Sequence, residues 1–302
     1  MTKTLLSLVF AIVTFGYSSA YAKPFVFACE PEWASLANEI GDDLITSYSA
    51  TTGIQDPHYI RARPSHMSRI RKADLLVCSG AGLESGWLPL LLQKASANVQ
   101  PEKLGHLLIA EHVALLDKPE QIDRSMGDVH PEGNPHIHLD PDNIEIAARL
   151  VAERLSEIDP EHIDHYQKNL ESFLEKWQIN KQKWKDRGKQ LRGKSVISHH
   201  KSFSYLTSFL EINTIGLIEE KPGISPSSKH LAKLVQIAGK QDVLTIIRTP
   251  YDPTAPSEWL SDKTGLSTVM LPFTVGGTPK VRNLFELMDE TLIQLISTLA
   301  NR

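Results

Sequence analysis

The sequence has no excess of basic residues and few cysteines. Its 32 lysine and arginine residues against 36 aspartate and glutamate residues give a net charge of −4, and the absence of a basic stripe argues against a nucleic-acid partner. Low-complexity tracts and short-period repeats are absent as well. The remaining composition, 41% hydrophobic and 23% charged residues, is that of a globular protein. A chain of 302 residues is long enough for two domains with a core each.

Long apolar runs are also missing beyond the N-terminus, where no segment has the ~18 unbroken apolar residues that span a bilayer. The N-terminus itself combines Lys3, a short apolar run at residues 5–15 and the small-x-small sequence Ala20-Tyr-Ala22. This pattern predicts a secretory signal peptide over residues 1–22. We expect its cleavage before Lys23 and export of the mature chain to the periplasm. An uncleaved anchor is the alternative.

Cys29 and Cys78 are the only cysteines. Cys29 does not resemble a lipid-attachment site, because Lys23 and Pro24 separate it from the apolar run. Each cysteine ends a short apolar run. If these runs are adjacent parallel strands, the two thiols lie close enough for a disulfide, which an oxidising compartment permits. Two buried free thiols are the alternative.

Short apolar runs alternate with helical patterns twice along the chain, which predicts an α/β fold with parallel sheets built from βαβ units. The predicted strands are 25–28, 44–50, 73–78, 112–116, 195–198, 214–217, 243–247 and 267–271. The predicted helices outside the middle of the chain are 33–40, 64–72, 83–94, 142–157, 203–210, 227–239, 257–264 and 284–300. The two halves have the same organisation.

Between the halves, residues 159–193 predict one long helix. Asp159-Pro160 is a typical cap with proline at the first helical position, and Gly193 ends the pattern. A helix of about 33 residues is ~50 Å long, more than one small domain needs. We therefore predict an N-terminal lobe over 23–158, a rigid linking helix over 159–193 and a C-terminal lobe over 194–302.

Histidines follow the predicted strands. His58 comes after the second strand, His136 after the fourth, and His200 after the first strand of the second half. Ligands of open parallel sheets bind outside the carboxyl ends of the strands, so two facing lobes bring these histidines to one cleft. Three imidazoles suit zinc better than manganese. Asp252, after the strand at 243–247, is a candidate fourth ligand, although Asp252-Pro253 is also a common turn pair.

The loop from His130 to Pro141 has three of the chain's twelve histidines. His138 stands two residues after His136, so in an extended segment both side chains point the same way. His130 and Asp128 are candidates for a weak collecting site at the mouth of the cleft. A solvated loop is the alternative.

Several short motifs, in their order and spacing, resemble the periplasmic zinc- and manganese-binding receptors of ABC metal importers, of the zinc-uptake type within cluster A-I. They are Asp56-Pro-His58 with Arg63-Pro-Ser65, Ala73-Asp-Leu with Gly82-Leu-Glu84, Pro135-His-x-x-Leu-Asp-Pro141, and Ser198-His-His-Lys-Ser-Phe-Ser-Tyr205. The resemblance implies two βα lobes joined by a long helix, with His58, His136 and His200 binding the metal between them. It implies a monomeric receptor without enzymatic activity, which binds zinc and delivers it to a permease in the inner membrane.

The chain departs from this family in three places. His138 replaces a usual aromatic residue, the His/Asp-rich loop is reduced to residues 128–133, and residues 271–277 lack the usual aspartate ligand. The fourth ligand is therefore open between water, Asp252 and a neighbouring histidine, and the remaining three histidines favour zinc over manganese.

Two other functions fit parts of the sequence. His136-x-His138-x-Asp140 matches part of a zinc-hydrolase signature, in which metal-bound water is the nucleophile, but Pro141 stands where that signature has another histidine. An extracellular metal scavenger or adhesin without a transporter needs only the metal site.

Overall fold

A computed structural model describes residues 22–121, 127 and 129–301. The predicted signal peptide, apart from its last residue, and Asp128 lie outside these residues. Within the described part, no helix is both long and apolar enough to cross a membrane.

Two four-stranded parallel sheets form the centres of two lobes. The first sheet contains β1 (Phe25–Ala28), β2 (Thr46–Ser49), β3 (Leu75–Cys78) and β4 (His106–Leu108) in the order β2-β1-β3-β4. The second contains β5 (Ser195–Ser198), β6 (Asn213–Leu217), β7 (Val243–Arg248) and β8 (Thr268–Met270) in the order β6-β5-β7-β8. The equivalent strand orders confirm the predicted α/β fold with two similar lobes.

The described helices pack on these sheets and between them. They are α1 (Pro31–Gly41), α2 (Pro64–Ile70), α3 (Leu88–Leu92), α4 (Pro141–Ile158), α5 (Ile163–Gly188), α6 (Ser204–Phe209), α7 (Ser228–Ala238), α8 (Thr254–Thr264) and α9 (Leu284–Ser297). The predicted helix at 83–94 is reduced to α3, because Gly80 and Gly82 have positive φ angles and turns occupy residues 81–87.

Helix α5 joins the lobes, as predicted. With the 3-10 turns Pro160–His162 and Lys189–Leu191 at its ends, the helical stretch covers residues 160–191. Its buried aromatic side chains contact both lobes: Trp177 Nε1 donates to the Pro141 carbonyl at 2.9 Å, and Trp184 Nε1 donates to Asp289 in α9 at 3.1 Å. One hydrophobic core therefore continues from the first lobe through α5 into the second. The exact domain boundaries stay a prediction.

The prediction of a fourth strand at residues 112–116 is wrong. Strand β4 lies earlier, at His106–Leu108, and pairs with β3 through Leu76 and His106. Residues 113–116 lack strand structure, although Val113, Leu115 and Leu116 pack against the core. The run is apolar because its side chains are buried against the core. A buried apolar run does not have to pair with a sheet.

The cysteines form a disulfide between Cys29 and Cys78, with a Cα–Cα distance of 4.9 Å. Strands β1 and β3 are parallel neighbours with Ala28 opposite Val77. This is the adjacency on which the disulfide prediction depended, and both cysteines are fully buried.

Candidate metal site

Three connections bring histidines to the cleft between the lobes. His58 lies in the 3-10 turn Pro57–Tyr59 after β2, where Asp56 Oδ1 accepts a hydrogen bond from the His58 backbone N–H at 3.0 Å. His136 directly precedes the 3-10 turn Ile137–Leu139 between β4 and α4. His200 follows β5. The carboxyl ends of β2 and β5 thus direct two of the three side chains, as expected for parallel sheets.

The three imidazoles face one another. One ring nitrogen each of His58, His136 and His200 lies within 4.8 Å of the other two. The ring centroids are 5.5 Å apart for His58 and His136, 5.5 Å for His136 and His200, and 6.0 Å for His58 and His200. Tetrahedral zinc with bonds of 2.0–2.1 Å holds its ligand nitrogens about 3.3 Å apart. The separations of the three nitrogens are therefore within about 1.5 Å of this value.

Carboxylates orient two of these rings. Asp56 Oδ1 lies 2.7 Å from His58 Nδ1, and Glu219 Oε2 lies 3.0 Å from His200 Nδ1. Burial raises the pKa of both carboxyls, but the hydrogen bonds to the histidines outweigh burial, and both pKa values are lowered overall. A histidine that donates from Nδ1 to a carboxylate presents the Nε2 lone pair to a metal.

Neither Asp56 nor Glu219 was predicted from the sequence to orient a histidine ring. Glu219 follows β6 at the same edge of the sheet as His200 follows β5. The strand-end rule that selected the histidines therefore also selects Glu219. Asp56 was recognised only as the first residue of the motif Asp56-Pro-His58.

His136 is in a different environment. It is 1% exposed, and neither of its ring nitrogens has a hydrogen-bond partner among the described residues. Burial, followed by the nearby His58, holds the pKa of His136 well below its ordinary value. The ring is therefore neutral, with a buried lone pair in the centre of the cluster. Buried polar groups are normally paired, so this exception points to an absent bonding partner.

His130 reaches the same centre from the loop. Its Nε2 lies 3.1 Å from His58 Nε2. Its ring centroid is 5.1 Å from that of His58 and 6.4 Å from that of His136. His130 therefore contacts the cluster itself, deeper than the predicted collecting site at the mouth.

The expectation of an extended segment at His136 and His138 is wrong. Residues 137–139 form a 3-10 turn instead of an extended segment, so His138 does not point in the direction of His136. Its Nε2 donates to the Phe273 carbonyl at 2.8 Å. Asp140 caps α4 by accepting from the Asp142 backbone N–H at 2.9 Å. The His136, His138 and Asp140 set of a hydrolase is therefore not assembled.

Asp252 borders a small cavity together with His58 and His200 but is not in the group of mutually close donor atoms. Its Oδ2 accepts from the Thr249 backbone N–H at 2.7 Å, and its own N–H donates to Thr249 Oγ1 at 3.2 Å. This is the local turn arrangement that competes with metal binding.

The fold agrees with a comparison against known protein families. A family model described as "Zinc-uptake complex component A periplasmic" matches residues 26–298. The chain belongs to this family.

Some curated relatives of this chain are named for zinc and others for manganese. The metal ABC transporter substrate-binding lipoprotein ScbA of Streptococcus cristatus is 24% identical over 246 residues, covering 80% of this chain and 76% of ScbA. The zinc-binding lipoprotein AdcA of Streptococcus pneumoniae is 24% identical, covering 80% of this chain but only 49% of AdcA. The manganese-transporter lipoprotein ScaA of Streptococcus gordonii is 30% identical, covering 52% of this chain and 49% of ScaA.

Solved structures share the fold. A crystal structure of ZnuA has a TM-score of 0.76 at 21% identity and covers 93% of this chain and 100% of that one. A manganese-bound periplasmic metal-binding protein mutant from Candidatus Liberibacter asiaticus has a TM-score of 0.76 at 16% identity and covers 92% and 100%. These likenesses establish the two-lobed architecture.

Proposed function

We propose that the protein binds a divalent transition metal, zinc, in the cleft between its lobes and delivers it to an ABC-type permease for uptake. The proposal depends above all on His136, which is neutral and almost fully buried and has no hydrogen-bond partner for either nitrogen among the described residues. Placed within 4.8 Å of the ring nitrogens of His58 and His200, it is arranged for an ion that accepts its lone pair.

Capture needs no covalent chemistry from this chain. His58 and His200 donate through Nδ1 to Asp56 and Glu219, which fixes the direction of their Nε2 lone pairs. Because these carboxylates are engaged in orienting the rings, they are not free to act as general bases on a substrate. The arrangement therefore supports a binding protein that is not an enzyme. If the zinc-loaded protein hydrolysed thioester, lactam or phosphoester probes, that part of the proposal would fail.

The donor atoms favour zinc over manganese. Imidazole suits zinc, whereas carboxylate and carbonyl oxygens suit manganese. The three clustered donors are all imidazoles, and the segment 271–277 contains no carboxylate. Relatives are named for either metal, so the donor chemistry of this chain carries the choice.

Neither His130 nor Asp252 belongs to the group of mutually close donor atoms, but for the fourth position the individual contacts favour His130. The 3.1 Å between the Nε2 atoms of His130 and His58 is close to the spacing of two nitrogens on one zinc ion, whereas Asp252 is engaged with Thr249. We expect His130→Ala to weaken zinc binding and Asp252→Asn to leave it nearly unchanged. The reverse order in a competition titration would assign the fourth position to the aspartate.

Export by a cleaved signal peptide to the periplasm agrees with the role of Cys29. The relatives named above are lipoproteins, whereas Cys29 is buried and bonded to Cys78. It is therefore not available for lipid attachment. We propose a receptor that is released as a monomer and meets its permease at the inner membrane. Mass spectrometry of the exported protein tests this: a mature chain that begins near Lys23 agrees, and a retained apolar segment contradicts it.

The decisive experiment is titration of the metal-free protein with zinc and with manganese. We expect one zinc ion per chain and weaker binding of manganese. His58→Ala, His136→Ala and His200→Ala should each weaken zinc binding by orders of magnitude, while His112→Ala, at an exposed position, should not. Equal affinity in all four variants would contradict the assignment. Zinc-stimulated ATP hydrolysis by the reconstituted permease would separate a transport receptor from a scavenger or adhesin.

A further inference from the structure

A second polar cluster lies beside the metal site and takes no part in the binding described above. Glu32, in the first turn of α1, is 0% exposed, and His138 is 2% exposed. Glu32 Oε1 lies 3.2 Å from His138 Nδ1, within ion-pair distance, although neither atom has a hydrogen-bond partner among the described residues. Burying a carboxylate costs several kcal/mol unless the group is paired. We therefore expect the contacts of Glu32 and His138 to have a structural or functional role.

The contacts of this cluster join the two lobes. His138 Nε2 donates to the Phe273 carbonyl at 2.8 Å, and the Thr274 hydroxyl donates to Glu32 Oε2. Glu32 belongs to the first lobe, whereas Phe273 and Thr274 follow β8 in the second. Close by, the backbones themselves touch: a Cβ added to Gly53 would lie 2.3 Å from the Gly276 carbonyl carbon. The cluster therefore ties the lobes together at a closely packed seam.

The cluster also contacts His136, through the ring of Phe273. The Phe273 ring packs edge-on against both His136 and His138, at centroid distances of 5.3 and 4.8 Å. His58 and His200 are each oriented by a carboxylate, but neither nitrogen of His136 has a hydrogen-bond partner among the described residues. The orientation of the His136 ring therefore comes from its packing and from the turn that it begins. The Asn134 side chain, which accepts from the His136 backbone N–H at 2.9 Å, contributes to this turn, and the cluster contributes through Phe273 and His138.

We propose that Glu32, His138 and Thr274 form an inter-lobe lock that positions His136 for the metal; this inference rests on the proposed function. The segment after β8, which in the resembling receptors supplies a carboxylate ligand, has no carboxylate at residues 271–277. In this chain the segment supplies the Thr274 hydroxyl and the Phe273 carbonyl to the lock instead. His138 and Glu32 are positioning residues, since they act on the metal through His136.

The test compares zinc affinity with the stability of the metal-free protein. Glu32→Leu and His138→Phe each remove the hydrogen bonds of the lock, and we expect zinc affinity to fall by about 10–100-fold, as for other residues that orient metal ligands. Glu32→Gln is the rescue variant, because its side-chain oxygen can accept from Thr274 and its amide nitrogen takes the place of the oxygen that faces His138. It should bind zinc nearly as tightly as the wild type.

His106→Phe is the matched control. His106 also bonds a backbone carbonyl, that of Val99 at 2.9 Å, but within the first lobe, where His106 is the first residue of β4. It should lower the melting temperature of the metal-free protein without changing zinc affinity. A merely structural role for the lock would give the same result in Glu32→Leu, and that outcome overturns the inference. If Glu32→Leu does not fold, Thr274→Val carries the test: reduced affinity supports the lock, and wild-type affinity there and in His138→Phe refutes it.

The two proposals can fail separately. If the wild-type protein binds no zinc, or if His136→Ala binds it as well as the wild type, the proposed function is wrong. If His136→Ala loses zinc while Glu32→Leu and His138→Phe bind like the wild type, only the lock is wrong.

Discussion

Replacing His136 by leucine should stabilise the metal-free protein and abolish its response to zinc. His136 is 1% exposed and presents two ring nitrogens without hydrogen-bond partners among the described residues. A buried polar group without a partner costs about 1–3 kcal/mol. Leucine removes this cost and fills a similar space against the Phe273 ring, which lies 5.3 Å from the imidazole.

The expected shifts are large enough to measure by differential scanning calorimetry. A gain of about 2 kcal/mol raises the melting temperature of a chain of this size by roughly 3–4 °C. In the wild type, zinc at about 100 times its dissociation constant adds about 2.7 kcal/mol, or roughly 4–5 °C. The His136→Leu protein should therefore melt above the wild type without zinc and show no further increase with zinc.

The exposed His112 provides the control, because His112→Leu should change neither the melting temperature of the metal-free protein nor its increase with zinc. The reasoning fails if His136→Leu melts below the wild type in the absence of metal. That result would mean that the imidazole is satisfied in solution, for example by bound water. It also fails if the variant retains the increase with zinc, since the metal would then bind elsewhere.

Three further predictions concern other parts of the molecule. Asp56→Asn and Glu219→Gln should each weaken zinc binding about 10–100-fold in calorimetric titrations, because each removes the carboxylate that orients a ligand histidine; unchanged affinity would contradict that role. Burial raises the pKa of Glu84 from 4.5 to about 7 and also raises the pKa of its buried neighbour Glu30, so the two carboxyls titrate as a pair. The folded protein therefore holds protons on this pair more tightly than the unfolded chain, and the resulting stability is complete below about pH 4.5 and is lost as the pH rises through 7. Urea unfolding at several pH values should show this decline in the wild type and a flatter profile in Glu84→Gln; parallel profiles would contradict it. Reducing the disulfide between Cys29 and Cys78, which are 49 positions apart, should lower the free energy of unfolding by about 4 kcal/mol, and an unchanged melting temperature under reductant would contradict this.

The sequence predicted the fold because its buried strands are continuous apolar runs. Strands β1 and β5 have the predicted bounds, and the last three residues of each are buried, as expected for strands that are covered on both faces of a parallel sheet. Strand β4 was not predicted, because it is only three residues long and begins with a histidine. The more apolar run after it packs against the core as a loop, and a single sequence does not distinguish these two kinds of burial.

The candidate site was partly predictable for a similar reason. His58 and His200 follow strands of parallel sheets, so topology alone brings them to the cleft. The role of His138 was not predictable, because alternation along an extended segment gives the opposite direction from the 3-10 turn that residues 137–139 adopt. Its partner Glu32 bonds Thr274, 242 positions along the chain, and no local pattern indicates so distant a contact.

The unpaired His136 and the inter-lobe lock together give a physical account of the proposed zinc affinity. The folded chain holds His136 buried and without a hydrogen-bond partner among the described residues, a cost of about 1–3 kcal/mol. In the proposed lock, the contacts between the lobes hold the backbone around this residue in place. When zinc accepts the His136 lone pair, part of this cost disappears, and 1–3 kcal/mol corresponds to about 5–150-fold in the dissociation constant. A flexible seam would let His136 find another partner or reach water before the ion arrives. Rigidity between the lobes therefore contributes to zinc affinity without adding a ligand.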